Sequence, residues 1–264
     1  LCRAHNTMTA EIFGPYRERL TPAALIPTVT PEEAIEELDY VVTTLGLKVV
    51  MIASLVRREL PARVDGSHCT EDPAYWLDNL ALDSEYDYDP FWSKCVELGV
   101  APTVHSFMQG HGVRRSVSNY MYNQIGHFAD AGEAFAKALF FGGVTRRFPD
   151  LNFGVLEGGV GWAASLYASL VEVWQKRGGS NIENLKPTNI DVSMLEQLFD
   201  RYGTQRFTGT LGESDGLSFG ADTADVSVGL VDDFAACGIE SADDIAGLYA
   251  DRLYFGCEAD DRLT

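Results

Sequence analysis

The stretch 147–162, RFPDLNFGVLEGGVGW, decides how the rest of the chain is read. Phe148-Pro149-Asp150 ends a helix, because proline disfavours the helical conformation in the residue before it. Asn152 to Leu156 is a short apolar run with Phe and Val, the pattern of a strand buried on both faces. Glu157 then stands alone at the C-terminal end of that strand. Gly158-Gly159-Val160-Gly161 follows, and a helix begins at about Trp162. A charged residue on a glycine turn at the end of a buried strand is where α/β folds place their chemistry. A plain loop carboxylate on a tight turn fits the same letters.

Outward from this stretch the alternation repeats. Leu20 to Thr28 reads as a strand with prolines at its margins. Thr30 is an N-cap, Pro31 the first helical residue and Glu33 the third position of a capping box. Ala34, Ile35, Leu38, Val41, Val42 and Leu45 give that helix one apolar face, and Gly46 ends it. Lys48 to Ala53 is the next strand. Ser54 to Tyr88 breaks the rhythm and is expected as a long loop insertion without periodicity. Asp89-Pro90 restarts the pattern as N-cap and first helical residue, and the helix stops at Gly99. Val100 to Phe107 is a strand with His105 near its end. An irregular stretch leads to His127 and a helix to Phe141. Further helices are expected over Val192 to Tyr202 and after Ser241, with strands over Arg206 to Leu211 and Arg252 to Gly256. Strands alternating with helices over one chain of 264 residues predict a parallel α/β domain, either a barrel or a doubly wound sheet.

The bulk properties narrow the function. With 39 acidic against 20 basic residues the formal net charge is -19, which repels phosphate backbones and anionic lipid. Nucleic-acid and membrane partners are therefore not expected, and a small-molecule substrate is. Five cysteines without a CxxC pair argue against a disulfide framework and for a reducing, cytoplasmic setting. Leu1 opens on helix-like sequence and Thr264 follows no terminal element, so an internal portion of a longer protein is expected.

Three patterns compete for the chemistry. His105, Glu157 and Glu258 each sit at or just past the end of a separate strand, and in a barrel those ends converge on one mouth. An imidazole with carboxylates suits zinc or manganese, although a strand histidine is often a hydrogen-bonded core residue. Gly159-Val160-Gly161-Trp162-Ala163-Ala164 fits a dinucleotide fingerprint but lacks the acid about 20 residues on that ribose binding needs. Gly212-Glu213-Ser214-Asp215-Gly216 fits a nucleophile elbow but is followed by loop rather than helix.

Four segments, RLTPAALIPTVTPEEAIEEL, DYDPFWSKCVELGVAPTVHS, FGGVTRRFPDLNFGVLEGGVGW and DRLYFGCEADD, taken in order, resemble the amidohydrolase-related metal-dependent hydrolases of TIM-barrel fold. This group includes enzymes like aminocarboxymuconate semialdehyde decarboxylase. The resemblance implies a (β/α)8 barrel, here incomplete at the N-terminus and towards the C-terminus. It implies a divalent metal, zinc before manganese, with His105, Glu258 and Asp260 among the ligands and Asp261 as a substitute. The HxH pair of the family's first strand is missing, so the chain is expected to begin after the first two strands, or else to be a relative that lost its metal. Glu157 replaces a histidine carried by the decarboxylases and is expected, with Glu258, as an acid–base residue. His127 and Arg57 are candidate substrate contacts, Arg57 for a carboxylate. The implied reaction is hydrolysis by metal-activated water, with non-oxidative decarboxylation and a metal-free binding domain as alternatives. Relatives of this kind also imply a homodimer.

Overall fold

The computed structural model describes residues 1–60, 75–106, 111–186, 189, 191–203 and 232–257. These fall into two compact units, residues 1–171 with 242–264, and residues 172–241.

The first unit is built on one sheet. Its strands are β1 (Ala23–Leu25), β2 (Val49–Ile52), β5 (Pro102–Val104), β6 (Phe153–Val155) and β7 (Leu253–Phe255), adjacent in that order. All four pairings are parallel. Among the described residues the order never reverses, and these strands show no switch point of the kind at which a doubly wound fold binds a dinucleotide. Of the two architectures, the barrel is the one present: five consecutive strands of a (β/α)8 barrel, with β1 and β7 at the sheet's margins.

The sequence explains the helices between them. In α2 (Pro31–Asp39) the backbone N–H of Glu33 donates to Thr30 Oγ1 at 3.3 Å, as the capping pattern predicts. The helix then widens into a π turn over Tyr40–Thr44, where the β-branched run 41–44 begins. Helix α3 (Asp89–Leu98) ends at Gly99, whose φ of 64° is the left-handed cap. Its N-cap is Tyr88 rather than Asp89, so Asp89 itself is the first helical residue. Trp92 from α3 and Phe135 from α5 (His127–Phe141) both pack edge-on against Phe153 of β6, at 5.5 and 6.1 Å between ring centroids. A Cβ at Gly132 of α5 would lie 2.7 Å from Val155 and 2.9 Å from Trp162, so only glycine lets this helix reach the sheet. Trp162 lies in the first turn of α7 (Gly161–Arg177), the helix that follows β6.

The sheet margin at β1 is covered from within the chain. Asn6, fully buried on α1 (Cys2–Phe13), accepts from Leu25 N and donates to Leu25 O, both at 2.8 Å. Its amide thus stands in for a neighbouring strand and satisfies groups that an edge leaves exposed. Asn6 also donates to Glu37 Oε1 at 2.8 Å, and Arg3 Nε donates to Glu37 Oε2 at 2.6 Å.

Within the expected insertion over 54–88, the described residues carry regular structure that the sequence did not announce. Strands β3 (Val56–Glu59) and β4 (Tyr75–Asp78) form an antiparallel pair. Arg58 points inward from β3 and is buried. It donates to Asp78 Oδ2 at 2.9 Å, to Val29 O at 2.6 Å and to Tyr88 Oη at 2.9 Å. Asp78 also accepts from Leu80 N and Ser84 Oγ, both at 2.7 Å. Burial pushes the Tyr88 phenol up to about 12, against the pull of Arg58, so it stays a neutral donor to Thr28 O at 2.7 Å.

In the second unit, α8 (Val192–Tyr202) has the bounds expected from the sequence, and Asp191 caps it through Met194 N at 2.9 Å. A short helix, α9 (Asp233–Ala236), lies in the same unit. Helix α10 (Ala242–Tyr249) belongs to the first unit and leads to β7. The expected strand at 206–211 and the Gly212–Gly216 motif lie outside the described residues. Among the described residues no helix is long and apolar enough to cross a membrane. Cys2, Cys95 and Cys257 are free thiols.

The Arg58 network yields a stability prediction. Arg58→Met leaves the Asp78 carboxylate buried without its cation and is expected to cost about 3–5 kcal/mol in urea unfolding. Arg57→Met, one residue away on the exposed face, is expected to cost no more than about 1 kcal/mol.

Candidate active site at the strand ends

The site follows from strand register. Val104 of β5 pairs with Val155 of β6, and Leu156 N continues the ladder by donating to Val104 O at 2.9 Å. The residues just past the two strands, His105 and Glu157, are therefore brought side by side. Nε2 of His105 and Oε2 of Glu157 are in direct hydrogen-bond contact. Glu157 has φ of 60°, a left-handed conformation rarely adopted by a residue with a long side chain. Backbone strain of this kind collects where a side chain must be aimed. Their side chains are 36% and 41% exposed, so the pair adds little to stability and remains within reach of solvent.

His105 opens onto a cleft of about 450 Å³. One side is formed by the ends of β1, β2 and β5, with Ile26, Met51, Ala53 and Ser106. The other carries Leu55 and Arg57 of the β3 side, Leu77 of β4, and His111. Ser106 Oγ accepts from Ser54 N at 2.7 Å and ties the ends of β5 and β2 together.

The predicted site residues divide accordingly. His105 and Glu157 meet, and Arg57 lines the same cleft as His105. His127 does not line it. It is buried at the start of α5, its ring 4.0 Å from that of Phe128, and Phe128 in turn lies 4.9 Å from the His105 ring. Glu258, Asp260 and Asp261 lie outside the described residues, just beyond the exposed Cys257. Sequence reasoning missed Ser106 and His111. Ser106 was signalled by its place next to His105, whereas His111 carries no local pattern.

Among the described residues no three His, Cys, Asp or Glu side chains gather as a metal centre requires. His105 Nε2 and the Glu157 carboxylate, in contact with each other, are two donors of a type that divalent ions take. They fit as part of a metal site.

Two outcomes follow. Glu157→Gly removes the left-handed strain and is expected to raise stability by about 1 kcal/mol in urea unfolding, because the exposed pair it gives up is worth little. His127 is held below the ordinary histidine value of 6.5, first by burial and then by the charge of Arg114, while Glu157 and Asp130 pull it up. The unfolded chain takes up this proton more readily, so the associated stability is intact above pH 6.5 and is lost as the pH falls below it. His127→Phe is expected to flatten that acid limb in unfolding curves recorded across this range.

Comparison with known proteins places this arrangement. Residues 1–208 match the family model described as Amidohydrolase. The structure of 2,6-dihydroxybenzoate decarboxylase from Rhizobium is similar at 18% identity and a TM-score of 0.48, over 98% of this chain and 66% of that one. That of 5-carboxyvanillate decarboxylase from Sphingomonas paucimobilis is similar at 17% identity and a TM-score of 0.48, over 67% and 46%. A dihydroxybenzoic acid decarboxylase from a Polaromonas species, solved with manganese and 2-nitroresorcinol, is similar at 15% identity and a TM-score of 0.48, over 98% and 64%. The chain spans from 46% to 66% of the length of these structures. No curated protein matches it significantly. The family match takes in β1, β2, β5 and β6 with both His105 and Glu157, and the chain belongs to the amidohydrolase family of TIM-barrel enzymes.

Proposed function

We propose that the full-length protein is a metal-dependent lyase that removes CO2 from a small carboxylated organic substrate. The observation that carries this reading is the His105–Glu157 contact at the mouth of a cleft with apolar walls. Met51, Ile26 and Ala53 beside the reacting pair disfavour a localised carboxylate charge and favour its departure as neutral CO2. The electrons of the broken C–C bond remain on the substrate carbon, which must take up a proton. Glu157, aimed by its left-handed backbone, is the group we assign to deliver it. Arg57 lines the same cleft and is the cation we assign to draw an acid into it. His105 is a donor for a divalent ion, with zinc and manganese both suited to it. When bound, that ion supplies Lewis-acid polarisation of a substrate oxygen. Glu258 and Asp260 are the further donors we propose from the sequence.

Metal-assisted hydrolysis is the second reading. The half exposure of both His105 and Glu157 favours it, because a reacting water has access to the pair. There Glu157 accepts a proton from water instead of giving one to carbon.

The two reactions separate by product. A panel of aromatic and aliphatic acids labelled at the carboxyl carbon is incubated in water enriched in heavy oxygen. Decarboxylation predicts labelled CO2 and a product without heavy oxygen, and Glu157→Gln is expected to lower kcat at least about 100-fold. Heavy oxygen in the product without CO2 would establish hydrolysis. Full activity in Glu157→Gln would remove this pair from the chemistry.

A further inference from the structure

Two serines extend the sheet past the point where its ladder ends beside the site. Ile52 of β2 pairs with Val104 of β5. Two residues beyond that pair, Ser54 N donates to Ser106 Oγ at 2.7 Å. A side-chain oxygen thus takes the backbone N–H that a longer strand pair would give to a carbonyl. Ser54 is fully buried, so its N–H needs this acceptor. The acceptor belongs to the residue that follows His105.

His105 is thereby held from both sides. Before it, Val104 O accepts from Leu156 N at 2.9 Å and fixes the chain to β6. After it, the Ser106 hydroxyl fixes the chain to β2. The imidazole between these two ties touches Glu157 through Nε2 and lies 4.9 Å from the Phe128 ring. A ligating side chain that is already in place gives up less freedom when an ion arrives, and removing the groups that hold it lowers metal affinity.

We infer that Ser106 is a positioning residue for His105: by accepting from the Ser54 amide, its hydroxyl clamps the end of β5 to β2 and keeps the imidazole set as a metal donor beside Glu157. This rests on the proposed function in taking His105 as a donor for a divalent ion. Ser106 acts through the backbone and does not itself touch the ion. A serine that only satisfied a buried amide would affect folding and leave the metal affinity of the folded protein unchanged. Ser54 supplies a control. It gives the clamp its backbone N–H, and among the described residues its own hydroxyl has no partner, so its side chain is dispensable to the clamp.

The test is the zinc affinity of the full-length protein at neutral pH, measured by competition with a chelating dye, with folding checked by circular dichroism. Ser106→Ala is expected to bind zinc about tenfold more weakly, the lower end of the range for losing a group that holds a metal-bound histidine. Ser106→Thr, which keeps the hydroxyl, and Ser54→Ala, which keeps the N–H, are expected to stay within about twofold of the wild type. Amide hydrogen exchange of the metal-free proteins is the second readout. Leu156, tied to the other side of His105, is expected to exchange severalfold faster in Ser106→Ala. Unchanged zinc affinity in Ser106→Ala, an equal loss in Ser54→Ala, or a loss that Ser106→Thr does not restore overturns the inference. A wild type that binds neither zinc nor manganese refutes the metal reading of His105. Exchange at Leu156 then decides the positioning: faster in Ser106→Ala supports it, unchanged overturns it. Should Ser106→Ala not fold, the wild-type Ser54 amide decides instead, protection equal to that of Leu156 supporting the clamp and free exchange overturning it. Zinc binding that follows the expected pattern with no CO2 release from any acid refutes decarboxylation and leaves the positioning of His105 standing.

Discussion

The parallel pairing of β5 with β6 is the constraint from which the site follows. Once Val104 lies opposite Val155, the two chains leave the sheet side by side, and only a few side chains can occupy the space between them. His105 fills it from one strand and Glu157 from the other. Side chains alternate along a strand, so a slip of one residue would send one of the two to the wrong face. The register is in turn held by the core beneath it. Phe153 is locked between Trp92 and Phe135, and Gly132 lets α5 close on Val155.

The opposite wall of the cleft depends on a buried charge pair. The antiparallel strands β3 and β4 are short, and a two-stranded ribbon is marginal by itself. Arg58 anchors it by reaching Asp78 on the partner strand, Val29 after β1 and Tyr88 before α3. Burying a guanidinium is tolerable only because each of these partners accepts from it. Side chains alternate along β3, so fixing Arg58 inward turns Arg57 outward to the cleft wall. Two adjacent arginines thus serve different ends, one holding the fold and the other lining the cleft onto which His105 opens.

The sequence carried the β/α alternation, the capped helix at Thr30, the bounds of α8 and the position of Glu157 at a strand end, because each rests on local pattern. The hairpin was illegible because its inward position is an arginine. The pattern of Val56 and Arg58 inward against Arg57 and Glu59 outward does not read as apolar alternation when the neutralising Asp78 lies elsewhere in the chain. The burial of His127 at the head of α5 was not legible either, because it comes from packing in which the Phe128 ring meets both His127 and His105. The meeting of Tyr75 with His111 and Arg57 joins residues from separate segments, and no spacing in the sequence announces it.

The account turns on His105 belonging to a metal-assisted reaction centre. The most direct measurement is metal content by plasma mass spectrometry in the full-length protein and its His105→Ala variant, with the fold of each checked by circular dichroism. The account predicts divalent metal close to one equivalent per chain in the wild type and a severe loss in the variant at unchanged helicity. Equal metal in both proteins, or none in the wild type after purification with zinc or manganese present, would contradict it. The His105–Glu157 contact would then be a strand-end hydrogen bond without a metal role.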